Sequence, residues 1–96
     1  MEKGLVPVDR KEARDLLSEK MKEYQAFPYA TFVSWIASKH VEVLEVGGRS
    51  GRQYMIEILA QYEDWKEKGI RVMAAIDDGS IPDSFTPLCD DFIIEP

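Results

Sequence analysis

The segment from residue 54 to residue 63 constrains the fold of this chain more than any other. Two sets of residues alternate along it. One set is Tyr54, Ile56, Ile58, Ala60 and Tyr62, and the other is Met55, Glu57, Leu59, Gln61 and Glu63. A period of two that continues over the whole segment is the pattern of a β-strand, and a helix does not produce it. The sequence therefore predicts a strand here.

Three other segments have the composition of strands, and turn-forming residues separate them. The segments are 41–46, which is rich in branched side chains, 70–76, which restarts the alternation, and 92–94, which is either a short edge strand or a terminal cap on the sheet. The turns are the glycine-rich 47–51, the charged 64–69 and the sequence Asp77-Asp78-Gly79. Pro82 and Pro87 bracket an irregular connection before the last segment.

The N-terminal half has helical spacing instead. Asp9 and Glu12 are three residues apart, as in a capping box, and predict the start of a first helix. The apolar stripe of this helix is Ala13, Leu16, Leu17, Met21 and Tyr24. Pro28 ends the helix and favours a second one from Pro28 to about Lys39, because proline fits the first helical turn. A strand over residues 31–36 is the alternative.

This order of elements predicts an α+β fold, with two N-terminal helices packed on one face of a three- or four-stranded antiparallel β-meander. The 96 residues have room for one core only, so we expect residues 1–96 to form one domain. Hydrophobic residues make up 45% of the chain and charged residues 31%, which is the balance of a folded globule.

The charge of the chain bears on its partners. Twelve Lys and Arg residues against eighteen Asp and Glu residues give a formal charge of −6, so the mean field repels nucleic acid and anionic membranes and favours a basic protein partner. Cys89 is the only cysteine, which rules out an intramolecular disulfide and favours a reducing compartment. The sequence has no secretory signal pattern and no apolar run long enough for a membrane span, so we expect a cytoplasmic protein.

Signatures of common catalytic and nucleotide-binding sites are missing from the sequence. The glycine-rich segment 47–51 is the nearest approach to a phosphate cradle, but it precedes a strand and lacks a lysine, so we interpret it as a hairpin turn. His40, the only histidine, follows the second helix, where a structural role near the helix C-terminus is the ordinary one. Cys89 is followed by acidic residues, which raise the pKa of a thiol and oppose a catalytic pairing with His40. We expect no cofactor.

An acidic cluster near the C-terminus is a candidate cation site. Its members are Asp77, Asp78, Asp83, Asp90 and Asp91, of which Asp77, Asp78, Asp90 and Asp91 are the candidate ligands for a metal ion. Carboxylate oxygens suit Mg²⁺ or Ca²⁺, but the spacing matches no established calcium loop. We therefore interpret these residues as solvated turn aspartates, with the cation site as the alternative.

Aromatic residues provide candidate interaction sites. Most aromatic residues of a domain this small are needed in its core, but one that remains exposed on an acidic protein marks a surface for a protein partner. Trp35, in the second helix, and Trp65, beside the main strand, are the candidates.

The C-terminal half resembles a family of small uncharacterised bacterial proteins. The resemblance consists of Ile76-Asp77-Asp78-Gly79, which matches an IDDG turn, and Pro87-Leu88-Cys89-Asp90-Asp91-Phe92-Ile93, which matches a PLxDxFI-like ending. It implies a small bacterial α+β protein and carries no catalytic residue across to this chain.

These observations favour a non-catalytic protein-interaction or regulatory module that binds a basic partner through one sheet face or one sheet edge. An immunity protein that neutralises a basic toxin is one concrete form. The alternative is a divalent-cation-dependent binder or enzyme that uses Asp77, Asp78, Asp90 and Asp91. A homodimer formed through an unpaired sheet edge is the third possibility.

Overall fold

The structure, a computed structural model, describes residues 10–77 and 88–96. It confirms the predicted α+β fold and shows a sheet of four strands. The elements are α1 (Arg10–Gln25), α2 (Tyr29–Ser38), β1 (Glu42–Gly47), β2 (Gln53–Tyr62), β3 (Ile70–Asp77) and β4 (Leu88–Ile94). In this part of the chain no helix is long and apolar enough to cross a membrane.

The sheet is an antiparallel meander in which each strand pairs with the next, in the order β1-β2-β3-β4. The pairing brings even-numbered residues of neighbouring strands opposite one another, so that Ile58 pairs with Ala74 and Val72 pairs with Phe92. All even-numbered strand residues therefore share one face. The predicted alternation in β2 is confirmed, since Tyr54, Ile56 and Ile58 are buried on this face.

Both helices lie on the even-numbered face. α1 packs mainly on β3 and β4, and α2 packs mainly on β2 and β3. The stripe of α1 is confirmed, since Ala13, Leu17, Met21 and Tyr24 are buried and Leu16 is partly buried against the same core. Phe32 anchors α2, because its fully buried ring packs edge-on against Trp35 and against Phe92 of β4.

The segment after Pro28 is a helix and not a strand, which settles the alternative that the sequence left open. Proline precedes its first turn, as its fixed backbone angle favours. The helix ends at Ser38 and is capped by Lys39, whose backbone is left-handed with φ 57°. There the amide N–H of Lys39 donates to the carbonyl of Ile36, and the amide of His40 donates to the carbonyl of Trp35. This arrangement satisfies two of the last carbonyls of α2.

The remaining predictions concern the ends of strands. The hairpin turn predicted at 47–51 is confirmed and spans residues 48–52, in which Gly51 has a positive φ of 91°. Of the two alternatives for the last segment, the structure shows the edge strand, which starts at Leu88 rather than at Phe92. The sequence predicts too short a strand because Asp90 and Asp91 have low strand propensity. The predicted turn at Asp78 and the connection that follows lie outside the described residues.

Candidate functional site

The surface of the sheet opposite the helices is the candidate site, and we call it the open face. It is formed by the odd-numbered residues of the four strands, which are Val43, Glu45, Gly47, Gln53, Met55, Glu57, Leu59, Gln61, Arg71, Met73, Ala75, Asp77, Cys89, Asp91 and Ile93. The two helices pack against the other face of the sheet, so most of the exposed strand residues lie on the open face.

Several large apolar side chains are exposed on this surface. The exposed fraction is 53% for Val43, 40% for Met55, 37% for Leu59 and 47% for Ile93. Val41, which immediately precedes β1, is 47% exposed. Single exposed apolar residues are ordinary on a protein surface, whereas a group on one sheet face marks a surface that another molecule can cover.

Carboxylates separate these apolar side chains. Glu57 lies opposite Val43 on the neighbouring strand, and Glu45 lies opposite Met55, so acidic and apolar residues alternate in both directions across β1 and β2. Both glutamates are exposed. Neither forms an ion pair with any residue of 10–77 or 88–96. Their charges are therefore directed at the solvent.

Arg71 is the basic residue of the open face, and it forms ion pairs with two carboxylates. Its Nε and Nη2 atoms each donate to a carboxylate oxygen of Glu63 at 2.8 Å, and Nη1 donates to Asp91 Oδ2 at 2.8 Å. This paired geometry holds the pKa of Glu63 below its usual range. Because Arg71 is already matched by two carboxylates, it does not offset the charge of Glu45 and Glu57.

Trp65, one of the two predicted interaction residues, lies in the turn between β2 and β3. Its side chain is 86% exposed, and the ammonium of Lys66 lies 5.7 Å from the ring centroid. A tryptophan exposed to this degree contributes nothing to the core, so it is available for a partner. The role predicted for it stays a prediction.

Trp35, the other predicted interaction residue, lies on the helix side of the sheet. Its ring centroid is 5.1 Å from that of Phe32 and 5.9 Å from that of Tyr24. The ring is partly buried in this aromatic cluster, where it packs against the core. The structure therefore places Trp35 and Trp65 on separate parts of the molecule.

His40 takes part in a small polar cluster between α1 and β1. Its Nε2 atom lies 2.7 Å from Glu42 Oε1, and the Tyr24 hydroxyl donates to Glu42 Oε2 at 3.0 Å. The contact with His40 is the main reason that the pKa of Glu42 is lowered. Burial, together with the bond to Glu42, raises the pKa of Tyr24 to about 12. The cluster ties α1 to the start of the sheet, which is a structural role.

Glu12 ties the other end of α1 to the sheet. Its carboxylate accepts hydrogen bonds from the amide and hydroxyl of Ser50 at 2.9 and 2.7 Å, and from the Tyr54 hydroxyl at 2.9 Å. These bonds, led by the Ser50 hydroxyl, lower the pKa of Glu12. The predicted capping box pairs Glu12 with Asp9, which is outside the described residues. Beside Glu12 runs a shallow cleft of about 470 Å³, lined mainly by charged side chains of α1 and by Arg49.

The acidic candidates are spread over the sheet. Asp90 and Asp91 are consecutive in β4 and therefore point to opposite faces, and Asp91 bonds to Arg71. Asp77 shares the open face with Asp91, but their positions are four residues apart along the sheet, which corresponds to about 13 Å. No group of three potential metal ligands occurs in the described segments. Asp78 lies outside them.

The open face contains residues that the sequence argument did not single out. Met55 and Leu59 lie on the exposed side of β2, among polar residues. Apolar residues at these positions of the alternation are the feature of the sequence that indicates an apolar surface there. Val43 gave no comparable signal, because the residues of β1 are branched on both sides. Only the strand pairing shows that Val43 belongs to the same surface.

The chain matches no protein-family model, no curated protein and no solved structure. The resemblance of its C-terminal half to small bacterial proteins stays a prediction. A function therefore has to be inferred from the surface of this chain itself.

Proposed function

We propose that the protein is a non-catalytic interaction module that binds a basic protein through the open face. The observation that carries this proposal is the alternation of exposed apolar side chains with carboxylates that have no cation beside them within residues 10–77 and 88–96. Apolar contacts supply affinity, and carboxylates select a partner of opposite charge and speed its approach.

The charge of the whole chain supports the same class of partner. The formal charge of −6 attracts a basic protein at a distance, and Glu45 and Glu57 continue that charge across the surface that makes contact. The predicted immunity-like function, in which the partner is a basic toxin, is one form of this proposal. A cytoplasmic location belongs to the same proposal, because the exposed thiol of Cys89 suits a reducing compartment.

The other clusters favour structural roles over catalysis. The carboxylates of Glu12 and Glu42 are held by hydrogen bonds that fasten α1 to the sheet. The Ser38 hydroxyl, which is near His40 in sequence, donates to the carbonyl of Ser34 within α2. A catalytic histidine activates a hydroxyl or thiol to which it is hydrogen-bonded, and in the described residues His40 forms no such bond, since its ring contacts Glu42.

The test compares two variants with the same change of charge. Glu57→Lys reverses a charge on the open face, and Glu19→Lys reverses an exposed charge on α1, on the other side of the sheet. Immobilised wild-type protein and both variants are incubated with lysate at low salt, and the retained proteins are quantified by mass spectrometry. We expect a basic protein to be retained by the wild type and by Glu19→Lys, and lost with Glu57→Lys.

Two results would count against the proposal. Equal losses with both variants would show that only the total charge matters. A retained protein that is acidic, or that binds Glu57→Lys as well as it binds the wild type, would place the binding surface elsewhere.

A further inference from the structure

The outer edge of β1 borders the open face, and its backbone pattern can be derived from one hydrogen bond. The amide N–H of Gly48 donates to the carbonyl of Arg52 at 2.8 Å, directly beyond the last pair of the β1–β2 ladder. Bonded and non-bonded pairs alternate in an antiparallel ladder. The even-numbered residues of β1 therefore bond to β2, whereas Val43, Glu45 and Gly47 direct their N–H and C=O groups away from it.

These outward groups form an edge that can accept another strand. In the described part of the chain, β2 is the only strand that pairs with β1. An exposed row of N–H and C=O groups is a template for an additional strand. The side chains that flank the row decide which strand fits it.

On the helix side of the edge, apolar surface is available. Leu44 and Val46 point to this side, but both are only partly buried, because the helices pack mainly on the other three strands. Apolar side chains from an added strand would continue the core beside these two residues. Burial of this surface is a source of affinity that the isolated chain does not use.

On the open-face side of the edge, the flanking groups are acidic. An added strand would place one side chain opposite Glu45 and the next one on the same face opposite Val43. Neighbouring strands lie about 4.8 Å apart. A long basic side chain at the second position can cover Val43 with its aliphatic stem and reach towards Glu57 with its charged end.

We propose that the edge of β1 binds an extended segment of a basic partner as an antiparallel fifth strand, with alternating basic and apolar residues. The basic residues lie on the open face, near Glu45 and Glu57, and the apolar residues pack beside Leu44 and Val46. This inference rests on the proposed function and specifies how the partner is held.

A second copy of this chain is a poorer occupant of the same edge. Two antiparallel β1 edges brought together would place Glu45 of both copies on the same face of the joined sheet. Like charges on neighbouring strands destabilise their pairing, and each chain also has a formal charge of −6. Charge complementarity therefore selects a basic segment over a homodimer.

The experiment uses a capped, fluorescein-labelled peptide of alternating arginine and valine residues, and fluorescence anisotropy measures its binding to the full-length protein. The backbone pattern makes a specific prediction. Residues of an antiparallel added strand that lie opposite Val43 and Glu45 exchange hydrogen bonds with them, and these are the arginines. N-methylation of the arginine amides should weaken binding at least about tenfold, and N-methylation of the valine amides should change it little.

A protein variant provides a second measurement. Val43→Pro removes an N–H that points away from β2, so the existing ladder keeps its hydrogen bonds. It should weaken binding of the unmodified peptide by a similar factor, and its Tm shows whether it is folded. The acidic counterpart peptide, with glutamate in place of arginine, should not bind.

The outcomes separate this inference from the proposed function. Peptides that bind equally well with either N-methylation, but fail to bind Glu57→Lys, would support the open face as the binding surface and overturn strand addition. If no peptide binds but Glu57→Lys loses the captured partner, the open face is again supported as the binding surface and strand addition is again overturned. Peptide binding that appears only after residues 1–8 are deleted would assign the edge to the chain's own N-terminal segment, and dimerisation through β1 would assign it to a second copy. Both results would overturn the inference.

Discussion

Replacing valine by threonine at two positions of the sheet distinguishes its covered face from its open face. Val72 lies in β3 with no exposed surface, whereas Val43 lies in β1 and is 53% exposed. The substitution keeps the side chain β-branched and almost unchanged in volume, so the hydroxyl is the main difference. At Val72 the neighbouring backbone groups are engaged in the ladders with β2 and β4, and the hydroxyl would be buried without a partner.

The expected effects differ severalfold. A buried hydroxyl without a hydrogen bond costs about 1 to 3 kcal/mol, so we expect Val72→Thr to lower the free energy of unfolding by about 2 kcal/mol. Val43→Thr should change it by less than about 0.5 kcal/mol, because water solvates the hydroxyl. For a chain of this size, about 2 kcal/mol corresponds to a Tm lowered by roughly 10 °C.

Urea titrations followed by far-UV circular dichroism measure both variants against the wild type. The m-value should be unchanged, because neither substitution alters the surface that unfolding exposes. A loss of unfolding free energy in Val43→Thr close to the loss in Val72→Thr would contradict this expectation. It would show that the open face is covered in the isolated protein and is not available to a partner.

Three further predictions concern the polar clusters. The pKa of Glu42 is lowered in the folded protein, so this carboxylate stabilises the fold above about pH 4.5, where an unfolded glutamate ionises. The contribution is lost as the pH falls through the lower pKa of the folded state. Thermal unfolding at pH 7 and pH 3 should therefore show a larger fall in Tm for the wild type than for Glu42→Gln, and equal falls would contradict the pairing with His40. Gly48→Ala should lower the Tm by several degrees, because the added Cβ would lie 2.4 Å from the carboxyl carbon of Glu12 and displace a carboxylate that is held by hydrogen bonds. An unchanged Tm would show that the Glu12 side chain moves aside at little cost. Mg²⁺ and Ca²⁺ should leave the Tm unchanged, because Asp91 is bonded to Arg71. A Tm that rises with the cation concentration in the wild type, but not in Asp91→Asn, would restore the cation site as a candidate.

The sequence contains enough local information to predict most of the sheet. The alternation in β2 separates buried from exposed positions residue by residue, and short connections favour the pairing of β1 with β2 and of β2 with β3. Pro28 marks the boundary between the helices for a local steric reason. The extent of β4 is harder to predict, because Asp90 and Asp91 have low strand propensity and are retained in the strand by pairing with β3.

The contacts that organise the surface depend on residues that are distant in sequence. Tyr24 and Glu42 are 18 residues apart, and Glu12 and Tyr54 are 42 residues apart, so no local pattern indicates that they meet. The residues of the open face follow partly from the local alternation within a strand and partly from the pairing of strands that are distant in sequence. Leu59 could be identified from its position in the alternation, whereas its relation to residues of β1 follows only from the register.

The most direct test of the open face as a binding surface is photo-crosslinking from within it. A benzophenone amino acid is incorporated at Leu59 in one variant and at Ala37, an exposed position of α2, in the control. After irradiation in living cells, crosslinked products are identified by mass spectrometry. We expect an adduct with a basic protein from position 59 that is absent from position 37. Adducts of equal yield from both positions, or an adduct from position 59 with an acidic protein, would contradict it.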